Sequence, residues 1–194
     1  MQNLISLNNA IASYRTVFIV YFILLSYSEL LFSNESVALD DTRSVSVMLP
    51  EGWQLIKMMS PPELPAKTIN LVNGDYKILI TFIGSKDGAP FKMNDDKMVA
   101  LINKTSMQYV SGSVEGKITI HKIQGDSMRG VYSSFTDKKW VGKQPPPGEF
   151  KQVTSCVITV GKSILATVTY LSNDLEGEVF NEGLTILKNL RPQG

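Results

Sequence analysis

The sequence predicts an α+β fold, in which an antiparallel β-sheet packs with a mid-chain helix and a C-terminal helix. After about residue 43 most segments alternate apolar and polar residues, as half-buried strands do. Apolar residues recur at helical spacing only over 94–112 and 173–190. The strands do not alternate regularly with helices as a parallel sheet requires, and Gly161-Lys162 is typical of a tight hairpin.

The first predicted strands surround a proline-glycine turn. Ser44–Pro50 alternates, with Val45, Val47 and Leu49 on one side. Pro50, Glu51 and Gly52 suit a turn to a second, antiparallel strand that starts at Trp53. We expect the Trp53 ring to fill one end of the core, because a fully exposed tryptophan is uncommon without a partner.

A proline-rich loop and a long strand follow. Ser60–Lys67 contains three prolines, which lack the backbone donor that an inner strand needs. Tyr76–Ser85 is a continuous run rich in β-branched and aromatic residues, and it predicts a buried strand.

The mid-chain helix has clear start and stop signals. Asn94 is a suitable N-cap, and the carboxylates of Asp95 and Asp96 complement the helix dipole. Gly112 is a plausible end. Adjacent helical residues point about 100° apart, so the two aspartates do not form a metal site.

The second half predicts four strands and the last helix. The strands cover Gly116–Gln124, Met128–Trp140, Phe150–Val160 and Ser163–Ser172. We expect the last two to be joined by a two-residue loop, Gly161-Lys162. Asn173 with Glu176 fits an N-terminal capping box for a helix that continues to Leu190.

The N-terminal region resembles an export leader. The apolar run Thr16–Leu25 follows Arg15 and has the length of a signal-peptide core. Small residues before Ala38 suggest cleavage after that residue, with an uncleaved N-terminal anchor as the alternative. The predicted organisation is therefore a leader over 1–38 and one domain over 39–194, exported to the periplasm or secreted.

Composition excludes several classes of site. With 19 basic and 18 acidic residues, the chain has no charge excess that would favour nucleic acid. A single cysteine, Cys156, permits no internal disulfide, and a single histidine, His121, permits no two-histidine metal site. Because Cys156 alternates with Ile158 and Val160, we expect a buried, inert thiol. No cofactor is predicted.

No residue is assigned a catalytic role. His121 stands beside Lys122 in a strand pattern, which is typical of a solvated surface position. Glu115, Asp137 and Glu149 are the carboxylates that a glycosidase-like site could use, but nothing in the sequence distinguishes them.

One loop has the composition of a recognition surface. Phe135–Phe150 contains Trp140, three lysines and a polyproline run. Prolines lower the entropic cost of ordering a loop, and tryptophan is a common anchor at interfaces. The alternative is a solvated loop whose tryptophan folds back on the sheet. The candidate partner-binding residues are Lys138, Lys139, Trp140, Pro145, Pro146 and Pro147.

Taken together, these features resemble the PsbP-like superfamily. The resemblance rests on the leader, the "LPEGW" turn at Leu49–Trp53, the mid-chain helix, the long hairpin and the C-terminal helix, and it covers roughly Ser44–Arg191. The superfamily includes the lumenal oxygen-evolving subunit of photosystem II, a Ran-binding import factor and small exported bacterial proteins. The resemblance implies an α/β/α sandwich that docks on other proteins, and it transfers no functional residue.

Three functions remain open at this level. The first is a non-enzymatic module that binds an envelope or extracytoplasmic protein, touching a membrane only through an uncleaved leader. The second is a carrier that holds a small ligand between helix and sheet near Tyr76, Met98 and Tyr109. The third is a hydrolase, which requires converging carboxylates.

Overall fold

The computed structural model describes residues 32–57, 66–174 and 176–193. The chain divides into two compact units, Met1–Ser33 and Asn34–Gly194, and the fold below is that of the second. The predicted leader core, Thr16–Leu25, lies outside the described residues, as does most of the proline-rich loop.

The described residues form strands and two α-helices in an irregular order. The strands are β1 (Phe32–Ala38), β2 (Ser44–Pro50), β3 (Gln54–Lys57), β4 (Ala66–Asn73), β5 (Tyr76–Gly84), β6 (His121–Gln124), β7 (Met128–Thr136), β8 (Gln152–Val160), β9 (Ile164–Ser172) and β10 (Arg191–Gln193). The helices are α1 (Asp95–Val110), between β5 and β6, and α2 (Glu178–Lys188), between β9 and β10.

A seven-stranded sheet dominates the molecule. Its order is β3-β4-β5-β9-β8-β7-β6, and each neighbouring pair is antiparallel. The predicted α+β class is confirmed. Strand β4 was not predicted, because the lysine and two asparagines of "AKTINLVN" hide its alternation, although Ile69 and Leu71 are buried.

The turn after β2 connects two different sheets. Strand β2 belongs to a three-stranded sheet of order β1-β2-β10, whereas β3 belongs to the large sheet. The prediction that Pro50–Gly52 joins paired strands is therefore wrong. The turn exists, since the Trp53 N–H donates to the Pro50 carbonyl (3.2 Å), but it carries the chain from one layer to the next.

The large sheet is covered on both faces. One face contributes Ile78, Ile80 and Phe82 to a core shared with the small sheet and α2. The other face packs against α1, where Met98 and Ile102 meet side chains of β7, β8 and β9. This layered arrangement is the sandwich that the resemblance implies, and it leaves the C-terminal end of α1 beside the start of β8.

Trp53 is buried, as predicted. Its side chain is 5% exposed, and its Nε1 donates to Glu182 on α2 (3.0 Å). The ring meets Tyr170 edge-on, and Tyr170 in turn stacks on Phe180 with 4.9 Å between ring centroids. Burial raises the pKa of Tyr170, so its hydroxyl stays protonated and donates to the Val179 carbonyl (3.0 Å). These contacts fix α2 on the sheet.

Helix α1 begins where the sequence predicts. The Asn94 side chain accepts a hydrogen bond from the Lys97 N–H (3.0 Å), and Asp95 and Asp96 lie in the first turn. The helix ends at Val110, two residues before the predicted glycine.

Helix α2 begins later than predicted. Its first residue is Glu178, with Gly177 at the N-cap. Asn173 does not cap it, because its Oδ1 accepts from the Lys151 N–H (2.9 Å) and thereby ties the end of β9 to the segment before β8. The prediction that Asn173 is the N-cap is wrong.

Three other predicted boundaries move. Residues Gly161 to Ser163 form a three-residue loop instead of two, because Val160 pairs with Ile164, although Gly161 has the positive φ (58°) that the turn requires. Strand β7 ends at Thr136, and Lys138–Trp140 forms a 3-10 turn. Strand β6 starts only at His121.

Strand β1 belongs to the folded domain. The Ser46 hydroxyl donates to the Asn34 side chain, and Val37 and Leu39 are buried in the larger core. Cleavage after Ala38 would therefore remove a strand with a buried side chain. The cleavage point itself stays a prediction.

We predict that Gly183→Ala lowers the unfolding free energy by about 1–3 kcal/mol, because a new methyl group overpacks a filled core. A Cβ at this position would lie 2.5 Å from the ring and hydroxyl of Tyr170, which is held on all sides. Gly112→Ala is the matched control, since its Cβ would meet no atom closer than 4.0 Å. Urea unfolding measures both; equal stability would contradict the packing described for α2.

We predict that Val37→Ala in the full chain lowers the unfolding free energy by about 1–2 kcal/mol, because Val37 is 5% exposed within the core. Ala38→Ser, at the exposed neighbouring position, should change it by less than about 0.5 kcal/mol. If both variants unfold at the wild-type urea concentration, β1 does not contribute to the folded domain.

Candidate functional site

A cleft of about 360 Å³ lies at the C-terminal end of α1. Its walls come from that helix end, from the 137–151 loop and from the first residues of β8. Four aromatic side chains line it: Tyr109, Phe135, Trp140 and Phe150. A concave site with this lining is the usual form of a binding pocket.

Backbone hydrogen bonds connect the chain segments that form the cleft. The Lys138 N–H donates to the carbonyl of Gly112 (3.0 Å), and the Val114 N–H donates to the carbonyl of Thr136 (2.8 Å). These two bonds join the segment after α1 to the segment after β7. The loop therefore leaves the sheet at a fixed angle beside the helix end.

The far end of the loop is tied down as well. The Asp137 N–H donates to the Lys151 carbonyl (2.8 Å), which brings the two ends of the loop together. Between them, the Glu149 N–H donates to the Pro146 carbonyl (3.0 Å). The loop is thus closed at its base, and its prolines stiffen the part between.

The aromatic side chains form two groups. Tyr109 of α1 and Phe135 of β7 lie with their ring centroids 5.6 Å apart at the inner side of the cleft. Trp140 lies on the loop, and the Lys139 ammonium sits 4.3 Å from its ring centroid. An aromatic cleft of this kind gains free energy mainly by removing apolar surface from water.

The carboxylates around the cleft are already engaged. Glu149 Oε2 accepts from the Lys139 ammonium (2.8 Å), and Asp137 Oδ1 accepts from the Lys139 backbone N–H (2.8 Å). Glu115 Oε2 accepts from the Thr136 N–H (2.9 Å). Each of these three acids, Glu115, Asp137 and Glu149, therefore stabilises the loop or its base.

Most lysine side chains of the loop form no ion pair with the described residues. Lys138 donates to the Ser111 carbonyl at the end of α1 (3.2 Å), where a cation complements the helix dipole. Among the ion pairs formed by the described residues, Lys139 takes part in one, and Lys138, Lys143 and Lys151 take part in none.

Three exposed apolar side chains lie in the chain segments that line the cleft. Met107 is 62% exposed, Val114 is 53% exposed and Val141 is 58% exposed, and each adjoins a cleft-lining residue in sequence. They are three of the five large hydrophobic side chains that are exposed in the described part of the chain. We call Met107, Val114 and Val141 the apolar rim.

One residue from each of the two predicted sites, the partner loop and the ligand pocket, lines the cleft. Trp140, from the predicted partner loop, and Tyr109, from the predicted ligand pocket, line the same cleft. Lys138 and Lys139 flank it within the 3-10 turn. Pro145, Pro146 and Pro147 lie on the loop between Trp140 and Phe150, outside the lining itself.

The other two residues of the predicted ligand pocket lie elsewhere. Tyr76 of β5 packs against the larger core on the α2 side of the sheet, whereas Met98 is 1% exposed in the smaller core beneath α1. Because these cores occupy opposite faces of one sheet, Tyr76, Met98 and Tyr109 do not converge on one cavity.

Sequence reasoning missed the rim and part of the wall. Val114 and Met107 carry no distinguishing signal, because single exposed apolar residues are common on any surface. Phe150 ends the predicted recognition loop and starts a predicted strand; in the structure it precedes β8 and lines the cleft. The proximity of the helix end to the loop is a long-range property that local patterns do not contain.

The remaining candidates are placed as follows. His121 is exposed and stacks on Tyr132, with 5.1 Å between ring centroids. Cys156 is 1% exposed, so the predicted burial is confirmed. In the part of the chain that the structure describes, no three metal-ligating side chains cluster in a way that could hold an ion.

Comparisons with known proteins give a likeness of fold to a solved structure. No family model matches the chain, and no curated protein matches it. The solution structure of cyanobacterial PsbP (CyanoP) from Synechocystis sp. PCC 6803 matches over 83% of this chain and 92% of that chain, at 9% sequence identity and a TM-score of 0.47. The likeness concerns the fold alone.

Neither α1 nor α2, nor any other helix within 32–57, 66–174 and 176–193, is long and apolar enough to cross a bilayer.

We predict that Cys156 does not react with Ellman's reagent in the native protein at pH 8. Burial raises the pKa of the thiol to about 12, so the reactive thiolate is scarce. Because the folded thiol holds its proton more tightly than the unfolded one, the unfolding free energy should also fall as pH rises from the ordinary thiol pKa of ~8.5 towards 12.

The control is a Gln124→Cys variant, whose new thiol replaces an exposed side chain and should react within the mixing time. Adding urea to the wild-type protein should make its single thiol, Cys156, reactive. Rapid reaction of the native protein before any unfolding would contradict the burial of Cys156.

Proposed function

We propose that this chain is an exported, non-enzymatic binding module that holds a partner protein at the aromatic cleft. One observation supports the proposal most strongly. Four aromatic rings line the cleft, and the three side chains of the apolar rim are exposed in the same chain segments. A concave site with an aromatic lining is the usual form of a binding pocket, and exposed apolar side chains nearby favour an interaction site.

The arrangement suits a protruding side chain of a partner. A cavity of about 360 Å³ can take an apolar or aromatic side chain, while the rim covers the residues that flank it. Trp140 is half-buried and placed on a loop with closed ends, so little conformational entropy is lost when it is covered. Binding at such a site resembles the hot-spot arrangement of protein interfaces.

Catalysis is less well supported at this cleft. Asp137 and Glu149 both line it, which is the one observation in favour of a hydrolase. Both carboxylates are bonded to Lys139, one to its backbone and one to its ammonium. A general acid or base must be free to exchange a proton with a substrate, and these contacts instead serve the loop.

Export is the part of the proposal that rests on the sequence. Its support is the apolar run Thr16–Leu25 behind Arg15, with the length of a signal-peptide core. A single cysteine, which needs no oxidative pairing, suits a bacterial envelope. We propose an envelope or extracytoplasmic protein as the partner.

The second candidate function is a small-ligand carrier. The cleft volume falls within the ~300–1,000 Å³ range of ligand pockets, and its lining mixes aromatic rings with polar groups such as Gln108 and Gln152. A carrier would copurify with an apolar molecule of matching size. Native mass spectrometry of the purified protein tests this, and a ligand-free mass argues against it.

We predict that Trp140→Ala and Val141→Ser each reduce partner capture at least tenfold, because each removes apolar surface from the proposed interface. Capture is measured by placing a photo-crosslinking amino acid at Gln144, an exposed loop position, and illuminating intact envelopes. Thermal stability should stay nearly unchanged, since Val141 is 58% exposed and Trp140 is half-buried.

Ile56→Ser is the matched control. Ile56 is 49% exposed on β3, which lies five strand spacings from β7, roughly 24 Å away. It should leave the crosslinked band unchanged. Wild-type yields of the same band from both cleft variants would overturn the proposed interface.

A further inference from the structure

The loop beside the cleft carries more positive than negative side chains, and its carboxylates are the ones that have partners. Residues 137–151 contain four lysines and two carboxylates, a net charge of +2. Both carboxylates are bonded within the loop, and the nearby Glu115 is bonded to the end of β7. Internal contacts therefore use up the negative groups and leave positive ones.

Two of the lysines have an ammonium group that makes neither an ion pair nor a hydrogen bond with any described residue. Lys139 pairs with Glu149, and Lys138 donates to the helix-end carbonyl of Ser111. Lys143 and Lys151 form no ion pair with any described residue. Lys143 lies on the loop after Trp140, and Lys151 lines the cleft itself. Unpaired cations thus occur both on the loop and in the lining of the cleft.

We propose that the cleft binds an acidic protein segment that carries a central apolar or aromatic side chain. The apolar side chain enters the cleft against Tyr109 and Trp140, and flanking carboxylates face Lys143 and Lys151. This inference rests on the proposed function, and it adds the chemistry of the partner. Charges at the edge of an interface act mainly on selectivity and on the rate of association.

A peptide fits the site better than an anionic lipid surface does. A flat bilayer would meet the apolar rim but would not fill a concave cavity of about 360 Å³. A side chain on an extended segment can enter the cavity while its neighbours reach the lysines. An anionic vesicle is therefore the competing probe.

Three eight-residue fluorescent peptides test the proposal by fluorescence polarisation with the full chain. The first has a central Trp-Leu pair flanked on each side by three acidic residues. The second keeps the Trp-Leu pair and has lysine flanks, and the third keeps the acidic flanks and has a central Gly-Ser pair. We expect the first to bind tightest, with both others at least tenfold weaker.

Raising the salt concentration should weaken the first peptide, because the Debye length falls from about 10 Å at 0.1 M to about 3 Å at 1 M. The double variant Lys143→Gln, Lys151→Gln should weaken it roughly three- to tenfold, as the loss of two exposed charge pairs implies. Trp140→Ala should abolish its binding.

Lys162→Gln is the matched control for charge. Lys162 is exposed and follows the far end of β8, roughly 30 Å from the residues that begin the strand. It should leave the affinity unchanged. Circular dichroism and thermal unfolding of every variant show that the fold is retained.

Two results would overturn the acidic partner and leave the proposed binding function intact. They are equal or tighter binding of the lysine-flanked peptide, and an unaltered affinity in the Lys143, Lys151 double variant. Failure of all three peptides, or binding only to phosphatidylglycerol vesicles, also overturns the inference. The proposed function fails separately, if Trp140→Ala and Val141→Ser leave crosslinking in envelopes unchanged.

Discussion

The hydrogen bonds between the end of α1 and the end of β7 are the constraint on which the rest of the cleft depends. The Lys138 N–H reaches the carbonyl of Gly112, and the Val114 N–H reaches that of Thr136. They join a helix end to a loop that would otherwise be free to move. This joining brings Tyr109 and Trp140 into the lining of one cavity. The same contacts give the loop lysines fixed positions beside an apolar surface.

The sheet supplies the rigidity that these bonds need. Helix α1 lies where it does because Met98 and Ile102 are buried against β7, β8 and β9, and burial of two such side chains stabilises the contact by about 3–6 kcal/mol. On the opposite face, the aromatic contacts around Tyr170 fix α2. With both helices anchored, the cleft has a rigid floor and one loop wall. A preformed site of this kind binds with a small ordering cost.

Features that depend on neighbouring residues could be predicted from the sequence, whereas features that depend on distant contacts could not. Asn94 capped α1 as expected, since a cap depends on residues three positions apart. Asn173 failed as a cap because a distant backbone group, the Lys151 N–H, occupies its side chain. The Pro50–Gly52 turn was recognisable, but whether its strands pair depends on the whole topology. For the same reason the sequence suggested Trp140 and Tyr109 separately and could not place them together.

Amide hydrogen exchange measured by NMR tests whether the cleft is preformed. We expect the Val114 and Lys138 amides to exchange slowly in the free protein, with protection comparable to that of amides within β7 and β8. The amide of Gly142, at an exposed position of the same loop, should exchange much faster. Exchange of Val114 and Lys138 at the rate of an unstructured peptide would contradict a preformed cleft, because the helix end and the loop would then not be joined.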